Sequence, residues 1–298
     1  MYNYYKSTSD KVLMGIIYVL LGFLVVVLLY PLIYVVSSSF SSQQAVASGR
    51  VWLYPVDPSL KGYEAVFENQ QVWTGYLNSL IITVSGTILA VGFTIMMAYP
   101  LSKQRFALKK PITVMLTIIM FFGGGLIPNY ILIKDLHMID TLWAVIVPSA
   151  VQVWYIIMMR TYIQSSIPTS LSEAATLDGC SDVGYLVKVV VPLSKPIIAV
   201  ITLYVAVALW NSYFNAMIYL RSQSRYPLQL VLRNILILNQ FDTELFNKLS
   251  DKEIMERQNL QALLKFSLIV VASVPVMILY PFIQKYFVKG IMIGSIKG

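Results

Sequence analysis

Residues 173–196 read EAATLDGCSDVGYLVKVVVPLSKP. An apolar run ending at Met159 precedes this stretch, and another beginning at Ile197 follows it. Glu173 and Asp178 at the centre of a bilayer would each cost about 2.5–3.5 kcal/mol, so the stretch belongs at a membrane surface and not across it. Its local pattern is helix, turn, helix. Ser170, Leu171, Ser172 and Glu173 match a capping box, in which the Ser170 hydroxyl caps the helix and Glu173 reaches back. Pro168 just upstream suits a helix start. Gly179 marks the point where the first helix stops and the chain turns. A second short helix is expected from about Ser181 through Tyr185, Leu186 and Val189, ended by Pro192 and Pro196.

The surroundings of this stretch are mostly apolar. Of 298 residues, 57% are hydrophobic and 12% charged, with a mean hydropathy of +0.70. Soluble domains carry about 25% charged residues, so the chain reads as an integral membrane protein. Its one cysteine, Cys180, excludes an intrachain disulfide and a cysteine-cluster metal site. Its one histidine, His137, leaves His-based zinc or triad chemistry without its usual members. No metal site and no catalytic residue is expected. The net charge of +8 resides in bases that flank apolar segments, which fits membrane topology and not nucleic-acid binding.

Six stretches reach the roughly 20 apolar residues that a crossing needs: Val12–Val36, Leu77–Leu101, Ile112–Ile133, Leu142–Met159, Ile197–Leu220 and Leu263–Phe282. Strand-like alternation is missing from them, and backbone groups in lipid must be paired internally, so they read as helices. The first is too long for a signal-peptide core and lacks a small-residue cleavage site, so it is expected to remain as a span. Twelve Lys and Arg residues, Arg160 among them, fall in one set of loops and nine in the other. The richer set, which includes both termini and residues 173–196, is expected on the cytoplasmic side.

Two loops on the other side are substantial. Residues 37–76 contain Pro55, Pro58 and Gly62, turn signals before a short surface helix. Residues 221–262 mix an apolar half with a charged one, which suits either a partner contact or amphipathic packing on the bundle. Gly86, Ala90, Thr94 and Ala98 recur at four-residue spacing, placing small residues on one helix face. That face either packs a neighbouring helix or lines a path. Gly123, Gly124 and Gly125 followed by Pro128 read as a kink or as a broken helix lining a cavity.

Glu173, Ala174, Ala175, Asp178 and Gly179, then a spaced run to Pro192, Leu193 and Pro196, resemble the EAA loop of ABC importer permeases. Cys180 stands where that family usually has alanine. NSLIITVSGTILAVGFTIMMAYPLSKQRF and WNSYFNAMIYL resemble the carbohydrate-uptake branch with its MalG-type subunits. GGGLIPNYILIK and the terminal VKGIMIGSIKG resemble the LplC-type permeases within it. The resemblance implies an all-α membrane protein of six transmembrane helices with the type I importer, MetI-like fold and a cytoplasmic coupling helix. It implies an organisation of a first helix and loop over residues 1–76, a core over 77–286 with the EAA loop at 168–196, and a cytoplasmic tail over 287–298.

On the same resemblance the chain is a permease that forms half of a translocation path for oligosaccharides or polysaccharides, in a bacterial cell membrane. Its partners would be a second, homologous permease, two ATP-binding subunits that hold ATP and Mg, and a solute-binding protein outside. Glu173, Ala174, Ala175, Asp178, Gly179, Cys180 and Pro192 would seat in a cleft of the ATPase, Glu173 either pairing with a base there or capping its own helix. Gly294, Ser295 and Lys297 would belong to a tail reaching between the ATPase domains, or to a frayed basic terminus. Sugars present C–H faces beside hydroxyls, so Gln152, Trp154, Tyr155, Trp210, Asn211, Tyr213 and Asn215 are candidates for the substrate path, or for interface belts and helix–helix contacts.

Other classes fit less well. A membrane enzyme would need a reactive set at membrane depth, and an ion-coupled carrier a buried acid or histidine. The six apolar stretches hold almost no ionisable residue apart from Lys265. A phosphate-binding G-x-x-x-x-G-K-[ST] motif is not present, so energy must come from another chain. A permease for another solute class, or an ion-independent channel or carrier, are the alternatives.

Overall fold

The computed structural model describes residues 8–238, 264–278 and 281, and among these every regular element is a helix. Helices α1 (Thr8–Ser39), α2 (Gln43–Ala47) and α3 (Lys61–Glu68) belong to one compact unit, residues 1–69 and 234–273. Helices α4 (Gln70–Ser102), α5 (Lys109–Phe121), α6 (Leu126–Asp135), α7 (Trp143–Ile146) and α8 (Val153–Ser166) open the second unit, residues 70–233 and 274–298. It continues with α9 (Thr169–Leu177), α10 (Asp182–Tyr185), α11 (Val191–Leu193), α12 (Lys195–Trp210), α13 (Phe214–Tyr219) and α14 (Leu228–Arg233). An apolar helix α15 spans Leu264–Ile278.

In the first unit, α1 is exposed on all sides from Gly15 to Ile33. A helix that is apolar all round and unpacked is at home in lipid. Its last turn is anchored by serines. The Ser37 hydroxyl donates to the Leu53 carbonyl at 2.7 Å, Ser39 Oγ lies 2.8 Å from the Tyr63 hydroxyl of α3, and Ser41 Oγ accepts from the Val56 N–H at 3.0 Å. Phe266 of α15 meets the Tyr34 ring edge-on at 5.7 Å. The short surface helix expected in this loop is α3, but Gly62 lies buried inside it and not in a turn.

The second unit is organised around α4, against which α8, α12 and α14 pack. The small-residue stripe Gly86, Ala90, Thr94 and Ala98 is buried. A Cβ on Gly86 would stand 2.6 Å from Leu209 Cδ1 of α12, so the missing side chain is what lets the helices close. Packing within the chain is therefore the role of this stripe.

α1 and α4 are each long and apolar enough to cross a bilayer, and three bent pairs qualify when each is read as one span. The pair α5 and α6 bends by 115° at residues 122–125. Gly125 there takes φ +79°, ψ 175°, a conformation open essentially only to glycine. The break expected from Gly123–Gly125 is present, while Pro128 lies inside α6 and breaks nothing.

Two expectations need correction. The fourth apolar stretch is split between α7 and α8 by residues 150–152, and α8 continues to Ser166, so Arg160 is a helical residue and not a loop base. The fifth stretch stops at Trp210, and residues 211–213 separate α12 from α13. Of the two readings of residues 221–262, the described part takes amphipathic packing, with Leu228, Leu230 and Val231 of α14 buried.

At one end of α4, Asp140 closes the unit. Its Oδ1 accepts from the N–H groups of Arg221 and Ser222, each at 2.9 Å, and its Oδ2 from Ser222 Oγ at 2.6 Å. Arg225 Nη1 lies 3.0 Å from the same carboxylate. Asn78 Nδ2 of α4 donates to the carbonyls of Ser224 and Tyr226, at 2.9 and 3.1 Å, which seats the segment on the helix.

Candidate functional site

Between α8 and α12 the chain makes the helix–turn–helix read from its sequence, with different terminal chemistry at the start. Pro168, extended at φ −61°, ψ 140°, precedes α9 without a side-chain cap. Ser170 is already inside the helix, so the expected capping box does not form. Proline fixes a φ that suits the approach to the helix, and its carbonyl accepts from the Leu171 N–H at 3.2 Å. Glu173 is exposed and makes no hydrogen bond to the described residues.

α9 ends in a Schellman motif. The Gly179 N–H donates to the Thr176 carbonyl at 3.1 Å and the Cys180 N–H to the Ala175 carbonyl at 2.9 Å. Both orphan carbonyls are satisfied because Gly179 adopts φ +71°. Ser181 then caps α10, its hydroxyl accepting from the Gly184 N–H at 3.1 Å. From Asp182 the helix runs to Leu193 through a π turn at Leu186–Val190. Pro192 is therefore inside the helix, and the break comes at Ser194, where α12 leaves at 79°. The wider π register, in which the Val191 N–H bonds the Leu186 carbonyl, precedes the proline that has no N–H to offer.

None of the residues of α9 is buried. Leu177, Val183 and Val187 stand 89%, 70% and 59% exposed beside Glu173, Ala174 and Asp178. Ala175 and Cys180 are half-buried against the core. The segment thus exposes large apolar side chains together with carboxylates, with small residues at its tightest turn.

A second feature is a cavity of about 250 Å³ lined by Ser149, Gln152, Tyr155, Val205, Ala208, Leu209, Ser212 and Asn215. It forms where α7–α8 and α12–α13 are interrupted: Ser149, Gln152 and Ser212 stand at the breaks, and Tyr155 and Asn215 lie in the first turns of the helices that follow. Three of the expected path residues, Gln152, Tyr155 and Asn215, line it. The other four do not. Trp154 points away and is 62% exposed, while Trp210 is buried with its ring 5.4 Å from that of Tyr76. Asn211 donates to the Val207 carbonyl at 2.9 Å and accepts from Gln229 at 3.4 Å, and the Tyr213 ring lies 6.0 Å beneath Arg233. Gly294, Ser295 and Lys297 lie outside the described residues.

The model of one family, the binding-protein-dependent transport system inner membrane component, matches residues 90–293. The chain belongs to this family. It is 35% identical over 283 residues to YtcP of Bacillus subtilis (strain 168), a polygalacturonan/rhamnogalacturonan transport system permease protein, covering 95% of this chain and 97% of that one. It is 34% identical over 278 residues to protein LplC of the same organism, covering 93% and 92%. A crystal structure of a bacterial ABC transporter involved in the import of the acidic polysaccharide alginate contains a chain that superposes with a TM-score of 0.86. That chain is 36% identical, and the match covers 95% of this chain and 99% of that one.

The chain is thus an all-helical ABC permease subunit, a membrane transport component and not itself an enzyme. A permease of this class works with a solute-binding protein and an ATPase. Among the described residues of the permease no three His, Cys, Asp or Glu side chains are grouped to hold a metal ion. Sequence reasoning missed Ser149 and Ser212 as cavity residues. The only signal available was their position beside Pro148 and Asn211, at interruptions in otherwise apolar runs.

Proposed function

We propose that this permease forms half of the path of an importer for oligosaccharides or polysaccharides, and that residues 168–196 couple it to a separate ATPase. The carrying observation is the α9–α10 segment, whose large apolar side chains stand exposed and uncovered by the described chain, between two membrane helices. An apolar patch rimmed by charge suits a protein contact better than lipid or water. Glu173, without a hydrogen-bond partner among the described residues, is available to a base of the ATPase. Ala174, Ala175 and Gly179 keep the turn narrow enough to seat in a cleft, and Cys180 and Pro192 shape its exit.

On this reading six spans cross the membrane, with α15 as the last, both termini and the coupling segment are cytoplasmic, and the partner permease is a second, homologous chain. Two ATP-binding subunits hold ATP and Mg, and Gly294, Ser295 and Lys297 extend towards them. The saccharide class is supported by the relatives' substrates and by the amide and hydroxyl lining of the cavity, where Gln152, Tyr155 and Asn215 meet. Affinity purification of the tagged chain from its native membrane tests the reading. An ATP-binding subunit and a second permease should co-purify. A chain that elutes alone, with no ATPase captured by crosslinking, overturns it.

A further inference from the structure

The cytoplasmic end of α4 on that reading does not fray into the loop that follows. Tyr99 and Lys103, one helical turn apart, meet Asp182 and Tyr185, which are three residues apart on the helix after the Gly179 turn. Lys103 Nζ lies 3.0 Å from Asp182 Oδ1 and donates to Ser172 Oγ of α9 at 3.3 Å. It also sits between two aromatic faces, 5.0 Å from the Tyr99 ring centre and 5.1 Å from that of Tyr185. The Tyr99 hydroxyl donates to both the main-chain oxygen and Oδ1 of Asp182, each at 3.2 Å. One ammonium therefore joins α4 to both limbs of the coupling segment.

The parts of this clamp differ in exposure. Tyr99 and Tyr185 are buried, whereas the Asp182 side chain is 81% exposed. An ion pair so exposed contributes little to stability. The two buried rings give the ammonium a fixed seat by cation–π attraction, and the acid orients it. At the middle of the same helix, Gly86 lets Leu209 approach, and Leu209 lines the cavity. α4 thus touches the coupling segment at one position and a wall of the cavity at another. A helix of 33 residues is stiff enough to carry displacement between them.

We propose that Lys103 is a positioning residue through which movement of the coupling segment is passed to α4, and through Gly86 and Leu209 to the cavity. This route runs beside the covalent one through α8 and α12. It rests on the coupling reading above, and the test separates the two. The full transporter, purified with its ATPase subunits, carries Cys180→Ala and a reporter Ser212→Cys in the cavity lining. Maleimide labelling of the reporter is timed with and without ATP and vanadate.

The parent should show a nucleotide-dependent change in labelling rate. Lys103→Met should reduce that change at least about fivefold, the lower range of a coupling energy, while vanadate-trapped ADP stays at the parent level. Lys103→Arg, which keeps charge and ring stacking, should retain it. If Lys103→Met does not assemble, Asp182→Asn at the exposed carboxylate serves in its place and should reduce the change by about half. A full parental response in the Met or Asn variant, or equal loss in the Arg variant, overturns the clamp and leaves the coupling reading intact. A parent without any nucleotide-dependent change overturns the coupling reading itself.

Discussion

Two aspartates, one near each end of α4, are held differently. Asp140 accepts from two backbone N–H groups, a hydroxyl and a guanidinium, with its side chain 23% exposed. Among the described residues the Asp182 carboxylate accepts only from side chains, Lys103 and the Tyr99 hydroxyl, and it is 81% exposed. Backbone donors cannot leave Asp140 without rearranging residues 221 and 222, and charge-assisted bonds of this kind are the strong ones. Side chains can leave Asp182 by changing rotamer. One end is built to hold the segment after α13 in place, the other to connect two elements that can shift.

The largest expected effect on assembly lies at the movable end. Gly179→Asp puts a side chain and a negative charge at φ +71° on the exposed turn. A left-handed conformation costs a non-glycine residue about 1–2 kcal/mol. The ATPase subunit retained on the purified variant should drop about tenfold, with the permease still present in the membrane. Unchanged retention would remove the functional half of the comparison.

Next comes Asp140→Ala at the fixed end. It strips acceptors from two backbone N–H groups and leaves Arg225 without its carboxylate. A loss of about 2–3 kcal/mol is expected, read as a lower Tm in detergent, with ATPase retention intact below that Tm. If ATPase retention suffered first, the division between a holding end and a moving end would be wrong.

Gly86→Ala probes the middle. Its Cβ would meet Leu209 Cδ1 at 2.6 Å, the flexible tip of a side chain that can shift. About 1 kcal/mol of destabilisation is expected, and labelling of a cysteine at Ser212 should change because Leu209 and Ser212 share the cavity.

The smallest effect is in pH. The hydroxyl and N–H of Ser222, then the N–H of Arg221, hold the Asp140 carboxyl far below its ordinary 3.8. A depressed folded value means that stabilisation is complete above about pH 4 and is lost as pH falls towards the folded value. Tm should therefore be flat from neutral pH to about 5 and fall below about pH 4, less steeply in Asp140→Asn. An identical acid slope in the Asn variant would assign the transition to another carboxylate.

Local signals in the chain were legible where one residue type enforces one backbone conformation. Gly179 and Gly125 take positive φ at a helix stop and at a span break, and both were readable because few residues other than glycine tolerate those angles. The stripe at Gly86, Ala90, Thr94 and Ala98 was legible as a face but not as to its neighbour, which is α12. The capping box at Ser170 was misread because two start signals, proline and serine, stood two residues apart and proline prevailed. Pro192 was misread as a terminator because a π turn, which no local pattern announces, carries the helix through it.

Composition and spacing by themselves determined that this is a helical membrane protein, that a surface helix–turn–helix interrupts its apolar segments, and that the turn falls at Gly179. These depend on transfer energies and backbone angles, which are properties of single residues and short windows. Only the tertiary structure decided that Lys103 sits between Tyr99 and Tyr185, that Asp140 receives Ser222, and that Ser149 and Ser212 face one cavity. Tyr99 apart, those partners lie about 60 to 80 residues from one another along the chain. Their meeting depends on how close α4, α8 and α12 can pack, a distance set by side chains on separate helices at once.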